Sequence, residues 1–280
     1  MPKKVTKKKA KQFLLLSGAL LLSSLVKVYV DTNIFKVNNI RFRTKKLPHD
    51  TNFSILQITD LHNRVFGKQN EILIKTVKDI HADVVVLTGD LISRGTNDFT
   101  NVFTLVEEII KVNPNVYYVT GNHELGNDNV DMFLAGLEER GVNILRNQNT
   151  KITRGDTVIN LVGIDNESTN HEDLDQAFDS ISEEHYTVLL SHSPNVVDKY
   201  DSIPADLILS GHTHGGQIRL PLIGAVVGPD RSFFPKLDKG IFEIHTGQYL
   251  YVDSGIGTSG YPVRFLNQSQ ISLIEVRGEG

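Results

Sequence analysis

Past Asp31 the chain alternates short apolar runs with stretches of helical period. Residues 53–58, 84–88 and 116–119 are near-continuous apolar runs of strand length, the pattern of strands buried on both faces. Between them, residues 68–80, 98–111 and 130–140 carry apolar positions three and four apart, which predicts helices. Val37, Ile40 and Phe42 predict a strand ahead of these. Alternation of this kind implies parallel pairing with helices on the faces, and it places ligands at the carboxyl ends of strands. From residue 152 the pattern changes. Residues 152–163, 186–190, 207–210, 240–244, 248–253 and 271–276 read as strands, with helices reduced to 174–182 and 195–200. A second sheet packed on the first follows, so the fold class is α/β with no linker to divide residues 36–280. The stretch 221–235, rich in Gly, Pro and aromatics, predicts a long loop. It is open to three readings, a substrate lid, a membrane-proximal contact or a surface loop, with Phe233 and Phe234 the residues to test.

The N-terminus follows another rule. Six lysines and no acid occupy residues 1–12, and an apolar run then extends from Phe13 to Val26 and on past Lys27 to Val30. A helix of fourteen residues spans about 21 Å and one of eighteen about 27 Å, so the longer run just crosses a bilayer if Lys27 snorkels. No small-x-small cleavage site follows cleanly and there is no twin arginine. The expectation is an uncleaved signal anchor at 13–30 rather than a removed signal peptide, with 1–12 a basic cytoplasmic tail and the remainder outside the cytoplasm. A secreted or wall-associated protein is the alternative location.

Composition narrows the chemistry. Of the formal charge of −4, the lysine tail leaves −10 on everything after residue 12, which gives little purchase for nonspecific nucleic-acid binding. There is no cysteine, so metal chemistry falls to oxygen and imidazole ligands and Mn, Fe and Zn are all admissible.

Five short segments each set Asp, Asn or His just after an apolar run: Asp60-Leu61-His62, Gly89-Asp90, Gly121-Asn122-His123-Glu124, Ser191-His192 and Gly211-His212-Thr213-His214. Singly, each is ordinary strand-end punctuation, an N-cap or a core histidine. Together they offer seven ligands, Asp60, His62, Asp90, Asn122, His192, His212 and His214, which suffices for two metal ions sharing one carboxylate. His123 is left over for proton chemistry. Residues i and i+2 of an extended segment share a side, so Asp60 with His62, and His212 with His214, are expected to converge as strand neighbours. Gly89, Gly121 and Gly211 are expected to serve as turn residues.

The order of these motifs resembles the calcineurin-like metallophosphoesterase superfamily over about residues 53–214, and Gly215-Gly216-Gln217 with Gly255-Ile256-Gly257-Thr258 resembles its membrane-associated or exported bacterial phosphodiesterases. The resemblance implies a four-layer α/β/β/α sandwich of two mixed sheets, with 36–280 the catalytic domain. It implies one ion on Asp60, His62, Asp90 and His214 and the other on Asp90, Asn122, His192 and His212, manganese favoured. A hydroxide shared by the ions would attack phosphorus in line. His123 would either donate a proton to the leaving oxygen or hold the phosphate.

One position departs from the pattern. Protein Ser/Thr phosphatases of the superfamily carry a second Asp where this chain has Ser93, so a carboxylate supporting His123 is in question. Arg94 is open to two readings, a phosphate-binding guanidinium or a surface salt bridge. Asp165, Asn166 and Glu167 read as a plain turn, with reach into the cleft as the alternative, while Tyr261 and Arg264 are candidates to line a substrate groove. His49, His81, His171, His185 and His245 show no ligand spacing. The expected substrate is a phosphodiester. The alternatives are a lipid-linked pyrophosphate of the UDP-2,3-diacylglucosamine type, and a non-catalytic binding module on the same fold.

Overall fold

The computed structural model describes residues 7–226 and 234–279, so part of the basic tail and Phe233 lie outside the described residues. The chain opens with α1 (Lys7–Asn33). Over Lys11–Asn33, 23 residues, it is long and apolar enough to cross a membrane, and none of that apolar window is buried. Its last turn is different, because Asp31 and Thr32 are buried against the remainder of the molecule.

After β1 (Lys36–Thr44) and β2 (Asn52–Ile58) come α2 (Glu71–Ile80), β3 (Val84–Thr88), α3 (Thr100–Val112), β4 (Val116–Val119), the single turn α4 (Asn122–Leu125), α5 (Val130–Glu139) and the two-residue β5 (Asn143–Ile144). The second half holds β6 (Gln148–Arg154), β7 (Thr157–Gly163), α6 (Leu174–Ala177), β8 (Tyr186–Leu190), α7 (Val196–Lys199), β9 (Leu207–Ser210), a small hairpin of β10 (Arg219–Leu220) and β11 (Gly224–Ala225), β12 (Gly240–His245), β13 (Gln248–Val252) and β14 (Gln270–Gly278).

Two mixed six-stranded sheets result, ordered β1-β14-β2-β3-β4-β5 and β12-β13-β9-β8-β7-β6. The strands β2 to β5 are mutually parallel, as are β7, β8, β9 and β13. Alternate residues of each central strand go to different cores. Ile55, Val84 and Val86 meet Leu161, Val188, Leu190 and Leu209 between the sheets, whereas Leu56, Val85 and Leu87 face Leu73, Val102, Leu105 and Phe133 on α2, α3 and α5. On the far side Val162, Leu189 and Ile208 pack against Leu174 and Val196. The four layers are therefore α/β/β/α.

Three details differ from the sequence reading. Residues 152–163 are not one strand but belong to the β6–β7 hairpin, in which Arg154 pairs with Thr157 across Gly155 and Asp156. Gly155 at φ 56° supplies the tight connection. The last strand, β14, joins the first sheet between β1 and β2. Its apolar alternation suits either sheet, and only the meeting of the two chain ends assigns it. The helix expected over 174–182 stops at Ala177, and Ser180 beyond it takes φ 58°, outside helical geometry.

Candidate metal centre

Every motif segment leaves the carboxyl end of a strand: Asp60 and His62 after β2, Asp90 after β3, Asn122 after β4, His192 after β8, and His212 and His214 after β9. Asp60, His62, Asp90 and His214 bring one ligand atom each within 4.8 Å of one another, and Asp90, His192 and His212 do the same. Asp90 belongs to both groups. Its Oδ2 lies 3.2 Å from His192 Nε2 and 3.7 Å from His62 Nε2, while Asp60 Oδ1 lies 3.3 Å from His214 Nε2.

The centre gathers acceptors. His62 Nε2 and His214 Nε2 stand 3.0 Å apart, and His192 Nε2 and His212 Nδ1 3.3 Å apart. His192 Nδ1 donates to the Thr88 carbonyl at 2.7 Å, which turns Nε2 inward toward Asp90. Burial pushes the His62 imidazole down to about 4 and that of His214 well below its usual value, so both present lone pairs at neutral pH. Burial also pushes the Asp60 carboxyl up to about 7. Burial opposes charge on His192, yet Asp90 overrides it and lifts the imidazole to about 10; the field that attracts a proton there attracts a metal cation equally. Asn122 Oδ1 is buried with no hydrogen-bond partner. Buried acceptors without donors cost several kcal/mol, and divalent ions relieve that cost for this set of oxygen and imidazole atoms.

The ligand pairs converge by a different route from strand alternation. Asp60, His62, Asp90, His212 and His214 take φ of 54°, 48°, 53°, 68° and 51°, left-handed conformations that cost a non-glycine residue about 1 kcal/mol or more each. The turns are held by backbone bonds between adjacent loops, from Asp60 N to Gly89 O, His62 N to Asp90 O and Asn63 N to Leu91 O. Glycine serves differently too. Only Gly89 of the three takes positive φ; a Cβ on Gly121 would lie 2.2 Å from Asp90 Oδ1, and one on Gly211 2.4 Å from Asp60 Oδ2. Their missing side chains make room for the carboxylates.

Glu124 was present in the motif without a role. Buried completely, it accepts from the backbone N–H of Asp90, Ile92 and Gly121 and so ties the β3 loop to the β4 loop. The signal that marks it is its place three residues after Gly121, the acidic position of a capping box.

His123 stands over the shared carboxylate, its Nε2 4.0 Å from Asp90 Oδ2 and its ring edge-on to His62. Arg94 N donates to His123 Nδ1 at 3.3 Å, so the neutral ring carries its proton on Nε2. Ser93 Oγ lies 3.2 Å from His62 Nδ1 rather than beside His123. The Arg94 side chain is exposed, beside His123, and has no ion pair among the described residues.

Other expectations need correcting. Arg264 lines no groove: it is fully buried, its guanidinium donating to Ser254 O and Gly257 O at 2.6 Å each. Asp165 is buried, paired with Arg146 and bonded to Thr120 behind the Asn122 segment. Tyr261 is exposed, and His49, His81, His171, His185 and His245 lie outside the centre, none of them buried.

The calcineurin-like phosphoesterase family matches residues 53–216. The chain belongs to this family. It is 30% identical over 257 residues to the uncharacterized metallophosphoesterase YkoQ of Bacillus subtilis (strain 168), covering 90% of this chain and 94% of that one. A Danio rerio transmembrane protein with a metallophosphoesterase domain is 26% identical over 280 residues, covering 92% of this chain and 62% of the other. Among solved structures, the NAD nucleotidase NadN of Haemophilus influenzae aligns at 18% identity and a TM-score of 0.49 over 73% of this chain and 45% of that one. Metallophosphoesterases use divalent metals, and the cluster around Asp90 is the candidate centre of this one.

Proposed function

We propose that the protein is a membrane-anchored phosphodiesterase with two divalent ions, one on Asp60, His62, Asp90 and His214 and the other on Asp90, Asn122, His192 and His212. The observation that carries this reading is the sharing of Asp90 by two ligand groups, buried except for the half-buried His212, joined by the unpartnered Asn122 Oδ1. Bound there, the ions supply a nucleophilic water at neutral pH and neutralise phosphoryl oxygens. Manganese is the ion to try first, with iron and zinc as alternatives.

The chain's own groups do the rest. His123 presents Nε2–H over Asp90 and donates it to a phosphoryl oxygen, because its Nδ1 already accepts from Arg94 N. The Arg94 guanidinium at the rim pairs with a second oxygen. A diester suits this equipment. It carries one negative charge where a monoester carries two, and Arg264, the other arginine near the ligands, is consumed in structural bonds.

The apolar α1 and the transmembrane relative support a single-pass membrane protein, and the lysines before the apolar run favour a catalytic domain outside the cytoplasm. A second reading, hydrolysis of a lipid-linked pyrophosphate of the UDP-2,3-diacylglucosamine type, is favoured by a groove of about 390 Å³ at the end of α1. Its lining includes Leu25, Tyr29, Val263 and Arg64, so apolar surface and a cation lie side by side.

The test is hydrolysis of bis-p-nitrophenyl phosphate against p-nitrophenyl phosphate by the full chain in detergent with manganese, beside Asp90→Asn. Diester turnover that Asp90→Asn abolishes is the expected result. Faster monoester turnover overturns the diester assignment. Two bound ions with neither ester cleaved moves the search to the lipid-linked pyrophosphate, and a chain that binds no metal is a binding module.

A further inference from the structure

The end of α1 is built into the support of one metal ligand. Asp31 O accepts from Ser269 N at 2.8 Å and Asp31 Oδ2 from Asn267 N at 3.2 Å, while Lys27 Nζ, one helical turn earlier, holds Asp31 Oδ1 at 2.7 Å. Thr32 Oγ1 accepts from Arg264 N at 2.8 Å. The residues gripped in this way grip His214 in turn. Asn267 Nδ2 donates to His214 O at 2.6 Å, Arg264 Nη1 donates to the same oxygen at 3.4 Å, and Arg264 Nη2 lies 3.4 Å from the His214 ring. Arg264 also holds Gly257 O, and Gly257 N donates to Asp60 O at 2.7 Å.

His214 needs such a clamp. At φ 51°, followed by Gly215 at φ 58°, its backbone sits in a conformation that persists only where its surroundings over-determine it. Asp31, Thr32, Arg264 and Asn267 are all buried, so their bonds are not competed away by water.

We propose that the last turn of the N-terminal apolar helix is a positioning element for the metal centre, with Asp31 and Thr32 setting His214 through Asn267 and Arg264. The helix is then a working part of the Asp60, His62 and His214 half as well as a tether. Partners that orient a ligand typically change metal affinity tenfold to a hundredfold when removed. This inference rests on the two-ion reading.

The test uses the full chain in detergent, loaded with manganese and challenged with a graded chelator, with ions per chain as the readout. Asp31→Ala with Thr32→Val is expected to lose one ion at about tenfold to a hundredfold lower chelator concentration and to keep the second ion as wild type does. Asp31→Asn, which keeps an acceptor for Asn267 N, is expected to restore most of the affinity. Val102→Ala, a cavity in the α3 core remote from this contact, is the control for general destabilisation. Wild-type retention of both ions overturns the proposal, as does parallel loss of both at the rate set by the control. Should the double variant fail to fold, the near-isosteric Thr32→Val alone decides by the same readout. Fewer than two ions on the wild type would instead overturn the two-ion reading itself.

Discussion

The two halves of the centre are braced by different parts of the chain. Around Asn122 and His192 the braces come from the β3 and β4 loops, which themselves carry candidate ligands. Glu124, two residues from Asn122, ties the Asp90 and Gly121 loops together, and His192 leans on the last carbonyl of β3. Around His214 they come from the two chain ends, since Thr32 and Arg264 lie 232 residues apart and Asp31 and Asn267 lie 236 apart. The first kind of brace folds with the sheet ends that carry the ligands. The second forms only when both chain ends have met, which makes that half the more open to perturbation from the membrane side.

The largest effect that sharpens this contrast belongs to His123, which stands over the carboxylate common to both halves. His123→Ala is expected to lower turnover about 100- to 1,000-fold, the usual cost of one donor to a developing negative charge, while two ions remain bound. His123→Gln, which still offers an N–H, is expected to recover part of that loss. Equal turnover for Gln and Ala would instead identify His123 as a proton donor to the leaving oxygen.

Next in size is Glu124→Ala. It leaves three buried backbone N–H groups without their acceptor, a loss of about 3 kcal/mol. The chelator challenge should then strip the Asn122 side first, the reverse of the order expected for Asp31→Ala with Thr32→Val. The same order in both variants would dissolve the distinction between the halves.

That distinction also explains what the sequence disclosed. The strands over 84–88, 186–190 and 207–210 were legible because unbroken apolar runs bounded by polar residues have few other readings. The seven candidate ligands were legible as residue types at strand ends, and the gathering of six of them in two groups that share Asp90 needed only two facing sheets. The left-handed backbone at Asp60 or His214 was not legible, because nothing in an Asp or a His announces positive φ as glycine does. Neither was the structural use of Arg264, since an arginine following a glycine-rich segment looks the same whether it faces substrate or carbonyl groups. Asp31 and Thr32 follow the apolar run that ends at Val30, and nothing in the local sequence marks their role. Their partners are set by the return of β14 to the first sheet, a long-range event with no local trace.

The smallest effect probes the remote brace through Asn267, whose Oδ1 accepts from Lys239 Nζ at 3.0 Å while its Nδ2 holds His214 O. Burial, with Arg219, Lys36 and Arg264 nearby, lowers the Lys239 ammonium from 10.5 to about 8. The unfolded chain therefore binds more protons than the folded one between pH 8 and 10.5, and by linkage this residue's contribution to stability rises with pH across that window. Partial exposure screens the effect, leaving about 1 kcal/mol, or about 2 to 4 °C in the melting midpoint of a domain this size. Lys239→Met removes the titration, so the midpoint of the wild type should gain on that of the variant by this amount from pH 8 to 10.5. A constant difference across the window would mean that Lys239 titrates as a solvated side chain. The remote brace would then rest on Asp31, Thr32 and Arg264 without it.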